Sequence, residues 1–441
     1  MMGVCRAARF LDTPGMALRR LRDVLLERTK QGWRKAMAKS DANIRTSTIN
    51  YRFHTPAFEF VFQWILGMGT NGGSEIGECF YAASQVKEND PDSWVRAFVR
   101  MAQSLRNKAE ASFKDGHPVS ARECFLRAYT YYRAAFTFIS PFEKERVIPL
   151  WQEAVDCFQR AARLFDPPIE PIHIPFGEYR LPGYFLGKIG QGKAKTLIVV
   201  GGADTYVEDL YLFIGPSALK RGYNLLFVDL PGQGGLPFSG SCMQPDSEHP
   251  FQNVVDYAIS RPEVDAEKLV AYGLSAGGYL VPRALTVERR VRACVACSVI
   301  SDFYAFMSQN PAALRLAQHL DSLLMKLAIN VRKLKPSLVL LDTYAWRWGV
   351  KKYSDLYEVL KAFTFDPAAL SCPILCIIGE KEYRQGPASH LQQTQAVQLN
   401  PDPRSKLLVT TAAEGADAHA MATNMSLMAQ LVFDWLDDVL P

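Results

Sequence analysis

The run Gly273-Leu274-Ser275-Ala276-Gly277-Gly278 sets a serine among small residues, directly after the apolar stretch KLVAY and before the helix-compatible YLVPRALTVERR. Strand, sharp turn and helix in that order strain the backbone of the turn residue. They also present its side chain at the end of a sheet, beside the positive end of a helix. Ser275 in that setting is a nucleophile for carbonyl carbon, provided that a base takes its proton. Where such a turn carries the nucleophile, an acid and then a histidine follow along the chain. His419, in EGADAHAMATN, lies after the strand-like KLLVTTA and before the amphipathic SLMAQLVFDWLDDVL, the place for the base. His54, His117, His173 and His249 precede the serine, and His319 falls in a helical insertion. His390, in a polar segment, is the rival.

The acid is expected just past PILCIIG, in Gly379-Glu380-Lys381-Glu382-Tyr383. The third residue after the glycine, the commoner position, is Glu382; Glu380 is the alternative. Either carboxylate orients an imidazole and stabilises its cation. An oxyanion needs two backbone N–H groups aimed at it. One is expected from Ala276, the residue after the nucleophile, and the other from Gly202 or Ala203 in the loop after TLIVV, where glycines permit close approach. Asp204 and Glu208, next along the chain, are candidate substrate contacts or loop supports, with solvated helix-start acids as the equal alternative. DLPGQGG, after LLFV, lacks the Lys-Ser/Thr of a phosphate loop and the full dinucleotide pattern, and reads as scaffold near the site.

These residues need a frame, and the chain offers one in its second half. IEPIHIPFGEYRLPGYFLGK reads as a β-hairpin, followed by TLIVVGG, YNLLFVDLPG, KLVAYGLSAGG, VRACVACSVI, PILCIIGEKE and KLLVTTA as strands. Helical stretches such as DLYLFIGPSALKRG and FQNVVDYAISRP lie between them, which predicts a mostly parallel sheet with helices on both faces. Residues 302–365 interrupt the alternation with AALRLAQHLDSLLMKLAI and YSDLYEVLKAF, an insertion of the size of a cap. The core is thus expected over 169–301 and 366–441. Residues 46–168 read as a helical N-terminal module, ended by Asp166-Pro167-Pro168. Its stripe Phe125, Tyr129, Tyr132 and Phe136 has the spacing of a buried helix face. Residues 1–45 are a basic extension that reads as a solvated helical arm; Asp12, Asp23 and Glu27 weaken a transit-peptide reading.

Composition excludes several classes. Fifty basic against 45 acidic residues leave a net charge of +5 spread along 441 residues, which does not point to nucleic acid. No apolar run reaches the ~18–20 residues of a membrane span, and no secretory h-region opens the chain. Cys294/Cys297 and Cys372/Cys376 lie in or beside apolar strands with no histidine at ligand spacing, so they read as core thiols rather than metal ligands. A reducing, cytoplasmic setting follows.

Taken together, GECFYAASQVKENDPDSW, RAYTYYRAAFTF, VVGGADTYVEDLY, VDLPGQGG, GLSAGGY and EGADAHAMATN…VFDWL resemble the fungal polyketide and secondary-metabolite branch of the α/β-hydrolases. That branch holds pigment-pathway enzymes that shorten polyketides and the hydrolases of fusarin- and cytochalasan-type clusters. The resemblance runs from Glu59 to the C-terminus. It implies an α/β-hydrolase fold with a helical module over the core, Ser275 as nucleophile and His419 as base, with Glu382 where members often carry aspartate. It further implies a keto-rich small-molecule substrate, cleaved at a C–C (retro-Claisen) or ester bond through an acyl-enzyme, with no cofactor and with a homodimer as the assembly. Carboxylesterase or thioesterase action on the same triad is the first alternative. A non-hydrolytic pocket that assists cyclisation of an intermediate is the second.

Overall fold

The computed structural model describes residues 45–187, 192–309 and 335–440; the basic extension up to residue 44 and the expected cap helix over 312–329 lie outside them. Among the described residues, five α-helices come first: α1 (Pro56–Met68), α2 (Ile76–Ser84), α3 (Pro91–Lys114), α4 (Pro118–Phe136) and α5 (Lys144–Arg163). Proline stands in the first turn of α1, α3 and α4, where its missing N–H has no intrahelical partner to lose. The aromatic stripe of α4 is core: Phe125, Tyr129, Tyr132 and Phe136 are all buried. Trp94 of α3 packs against Phe58 and Phe138, and its indole N–H donates to the Ala134 carbonyl at 2.9 Å.

The alternating half follows. It comprises β1 (Glu170–Phe176), β2 (Tyr179–Leu186), β3 (Ala194–Val200), α6 (Val207–Lys220), β4 (Asn224–Val228), α7 (Glu248–Ser260), β5 (Val264–Leu274), α8 (Gly277–Leu285) and β6 (Ala293–Cys297). Then come α9 (Phe303–Ser308), α10 (Lys335–Arg347), α11 (Tyr353–Leu360), β7 (Ile374–Gly379), α12 (Glu380–Gln385), α13 (Pro387–Gln398), β8 (Lys406–Thr410) and α14 (Met425–Val439). The eight strands form one sheet in the order β1-β2-β4-β3-β5-β6-β7-β8. β1 and β2 are an antiparallel hairpin, β2 runs antiparallel to β4, and every pairing from β4 to β8 is parallel.

The central strands are apolar at consecutive positions because both faces are covered. On β5, Val270, Tyr272 and Leu274 join the core beneath the N-terminal helices, α6 and α14, whereas Leu269 and Ala271 face the core of α7, α8 and α11. Cys294 and Cys376 lie in the second core and Cys297 in the first. Burial pushes the Cys297 and Cys372 thiols up to about 12. Among the described residues, no helix is long and apolar enough to cross a membrane. Parallel pairing places the ends of β3, β5, β7 and β8 along one edge of the sheet, and the polar chemistry gathers there.

Candidate active site

Ser275 sits between β5 and α8 with φ +55°, a left-handed conformation uncommon outside glycine. Its N–H donates to the Cys297 carbonyl at 2.6 Å, and its carbonyl accepts from Gly278 N–H at 2.7 Å, which holds the turn in that shape. The small neighbours have a steric reason: a Cβ on Gly277 would fall 2.4 Å from the Val200 carbonyl oxygen and 2.8 Å from that of Gly201.

His419 reaches the serine from the turn between β8 and α14, and Glu382 reaches His419 from α12, directly after β7. The Nε2 atom of His419 lies 2.9 Å from Ser275 Oγ, and its Nδ1 lies 2.8 Å from Glu382 Oε2. His419 is 3% and Glu382 1% exposed, so this line of hydrogen bonds is shielded from water. Ser298 Oγ faces the other carboxylate oxygen at 3.4 Å. The alternatives lie elsewhere. Glu380 accepts from Ala412 N–H at 2.8 Å and pairs with Arg384, and His390 is exposed, stacked on Tyr383 with ring centroids 4.3 Å apart.

The loop after β3 approaches from the other side. A Cβ on Gly202 would lie 2.8 Å from Ser275 Cβ and 3.1 Å from its Oγ, so the bare backbone of residue 202 is pressed against the serine. Gln233, in the loop after β4, donates to the carbonyls of Gly201 (2.6 Å) and Gly202 (3.1 Å). A trans peptide points its C=O and the next N–H in opposite directions. The N–H groups of Gly202 and Ala203 are therefore turned away from Gln233. Ala276, the other expected donor, opens α8 next to Ser275. The loop DLPGQGG thus carries the residue that orients the 201–203 peptides.

Asp204 and Glu208 part company. Asp204 remains at the site, partly exposed, and pairs with Arg45 at 3.1 Å. Glu208 is buried in α6 and accepts from Tyr184 Oη at 3.1 Å. Burial, reinforced by the charge of Asp209, pushes Glu208 up to about 7.

Several residues at the site have no counterpart in the sequence reading. Residues 45–53 run as a strap over the His419 turn. The Arg45 carbonyl accepts His419 N–H at 2.9 Å, Asp417 accepts from Ser47 Oγ and Thr48 N–H, both at 2.7 Å, and Glu59 of α1 accepts from Phe53 N–H at 2.8 Å. Arg133 of α4 donates to the Asp204 carbonyl and Arg347 of α10 to that of Thr205. Arg133, Phe136, Asp204, Tyr206, Trp346 and Arg347 are among the residues lining a small cavity beside this loop.

Residues 197–433, more than half of the chain, match the family model described as the alpha/beta hydrolase family. The chain is 27% identical over 423 residues to alpha/beta hydrolase xenA of Xenoacremonium sinensis, a match covering 87% of this chain and 97% of that protein. It is 35% identical over 261 residues to alpha/beta hydrolase gkaG of Penicillium citrinum, over 55% of this chain and 60% of that one. Among solved structures, 2,6-dihydroxy-pseudo-oxynicotine hydrolase superposes with a TM-score of 0.66 over 85% of this chain and 95% of its own, at 19% identity, a likeness of fold.

Proposed function

The chain belongs to the alpha/beta hydrolase family, and we propose that it is a serine hydrolase of fungal secondary metabolism, cleaving a keto-rich, polyketide-type intermediate at a C–C or ester bond through an acyl-enzyme. The observation that carries this reading is the buried line Glu382–His419–Ser275, with 2.8 and 2.9 Å between its members. The fungal sources of the relatives support the metabolic setting. The free, buried thiols support a cytoplasmic enzyme.

In this mechanism His419 Nε2 takes the Oγ proton as Ser275 bonds to the carbonyl carbon, and the carbonyl π electrons move onto oxygen. The N–H groups of Ala276 and of Gly202 or Ala203 hold that oxyanion. Glu382 keeps Nδ1 protonated and stabilises the imidazolium. The oxyanion collapses and breaks the bond to the leaving group, an alkoxide or an enolate, which takes the proton from His419. A carbon leaving group departs only when its electron pair is delocalised, as beside a second ketone. Water then gives a proton to His419 and attacks the acyl ester; Ser275 leaves, recovers its proton, and a carboxylic acid is released.

The test is intact-mass analysis after treatment with a fluorophosphonate, on wild type and on Ser275→Ala. One adduct on wild type and none on the variant is the expected result, followed by a screen of β-diketone and ester substrates. Absence of an adduct on folded wild type would overturn the reading.

A further inference from the structure

Arg45 touches both halves of the machinery from outside the sheet. Its carbonyl accepts the His419 N–H at 2.9 Å, and its guanidinium donates to Asp204 Oδ2 at 3.1 Å and to Tyr344 Oη of α10 at 2.8 Å. The same guanidinium lies 4.1 Å from the ring centre of Phe60 in α1, whose ring centre is 6.4 Å from that of His419. One residue therefore connects the base turn, the loop of Gly202 and Ala203, the N-terminal helices and the cap segment. We propose that Arg45 is a positioning residue: through Asp204 it fixes the 202–204 loop against Ser275, and it balances the Asp204 charge beside His419. This rests on the serine-hydrolase reading above.

The carbonyls of residues 201, 202, 204 and 205 are each taken by Gln233, Arg133 or Arg347. The Asp204 side chain, only partly exposed, is met by the Arg45 guanidinium. Burial alone would raise the Asp204 carboxyl, yet the Arg45 guanidinium, helped by Arg133, holds it below the usual carboxylate range. A half-buried carboxylate robbed of that partner acts on neighbouring titratable groups, and His419 is among the groups whose charge it feels. Among the described residues, the charged and titratable groups around His419 include Glu382 from α12, Asp204 from the loop and Arg45 from the strap, with Tyr344 behind Arg45. Asp417 and Lys381 flank the same turn but are directed to the strap, Asp417 onto Ser47 and Thr48, Lys381 onto Thr46.

The test follows the rate of Ser275 labelling by a fluorophosphonate across the pH range in which histidine titrates, on the full chain. Arg45→Ala should lower the plateau rate about 100-fold, the loss typical of a misplaced reacting group. Its acidic limb should move to higher pH, because an unbalanced Asp204 favours the imidazolium. Asp204→Asn should move that limb the opposite way, and the double variant should lose no more than the worse single. Arg45→Lys keeps the charge but not the fork to Asp204 and Tyr344, and should hold the wild-type limb with about tenfold slower labelling. A merely structural arginine would not move the limb in opposite directions. Labelling of Arg45→Ala at the wild-type rate, or limbs that coincide in all variants, would overturn the proposal while wild-type labelling left the serine-hydrolase reading intact; unlabelled wild type would sink that reading itself. Should Arg45→Ala not fold, Arg45→Lys and Asp204→Asn carry the same comparison.

Discussion

Replacing Glu382 by glutamine is the sharpest probe of the line behind Ser275. The change keeps size and one acceptor atom but removes the charge that faces His419 Nδ1 at 2.8 Å. When the serine proton moves to His419, the imidazolium and carboxylate become a buried ion pair with charge centres about 4 Å apart, worth about 4 kcal/mol at an effective dielectric of ~20. Losing that interaction only in the charged transition state lowers kcat by about 10³-fold and leaves KM within about threefold. The glutamine amide can also face Nδ1 as a donor, which forces the wrong tautomer and deepens the loss. Glu380→Gln is the matched control: its carboxylate bonds Ala412 N–H and Arg384, away from His419, so its kcat should stay within about threefold of wild type. Steady-state kinetics on any hydrolysed ester, with a thermal melt to verify folding, decides the matter. A folded Glu382→Gln enzyme within tenfold of wild type, or a larger loss in Glu380→Gln, would refute the assignment of the acid.

Two further perturbations read other parts of the site. Gly202→Ala introduces a Cβ 2.8 Å from Ser275 Cβ, which must displace either the loop or the serine. Labelling by a fluorophosphonate should fall by at least about 10²-fold with a melting temperature near wild type, and an unchanged rate would detach residue 202 from the oxyanion. Glu208 bears on stability rather than chemistry. Burial raises it from an ordinary 4.5 to about 7, so the folded state binds its proton more tightly than the unfolded chain. Stability from this group is therefore full below about pH 4.5, declines as the pH climbs to about 7, and is flat above. Glu208→Gln keeps an acceptor for Tyr184 and should be more stable than wild type at pH 8 by about 3 kcal/mol, the gap closing near pH 4. Denaturant melts at both pH values test the sign, and a variant less stable at pH 8 contradicts it.

Much of the frame was legible in the chain because it is written locally. Strand segments such as LVAY and ILCII are apolar at every position, which only a sheet covered on both sides explains, and the turn around Ser275 needs its glycines within three residues. The sequence reading of Ser275, His419 and Glu382 rested on chain order, and the structure brings these three together and leaves Glu380 and His390 apart. Arg45, Gln233, Arg133 and Arg347 were not legible. Each is a polar side chain that acts across tens to hundreds of residues of sequence, from a loop or a helix face whose periodicity signals only that it is a loop or a helix. Arg45 stands at the end of the basic extension, where composition signals charge and says nothing of where the charge points. Within the insertion over residues 302–365, the contacts of Tyr344 and Arg347 of α10 with the strap and the loop after β3 are equally invisible to periodicity.

The polar cluster under that loop bears on why the N-terminal helices and α10 are there. Asp209, wholly buried, takes Tyr129 Oη at 2.5 Å, Arg133 Nε at 3.1 Å and Tyr206 N–H at 3.0 Å. Arg347, equally buried, gives its guanidinium to the carbonyls of Thr205, Gly232 and Gly234. Apolar side chains of similar volume would stabilise the fold at least as well as such buried ion pairs. What they would not do is fix peptide planes. The loop from residue 201 to 206 lies outside the sheet ladder, so no strand pairing sets the direction of its amides. The arginines and Gln233 set it instead, one carbonyl at a time, from segments on opposite sides of the loop. A donor pair for a developing oxyanion is effective only when its orientation precedes the reaction. On this reasoning the helices that precede the sheet, and the segment inserted within it, are fixtures of the loop as much as walls of the cavity. Exchanging them for those of a relative should change the rate at Ser275 even where the pocket lining is preserved.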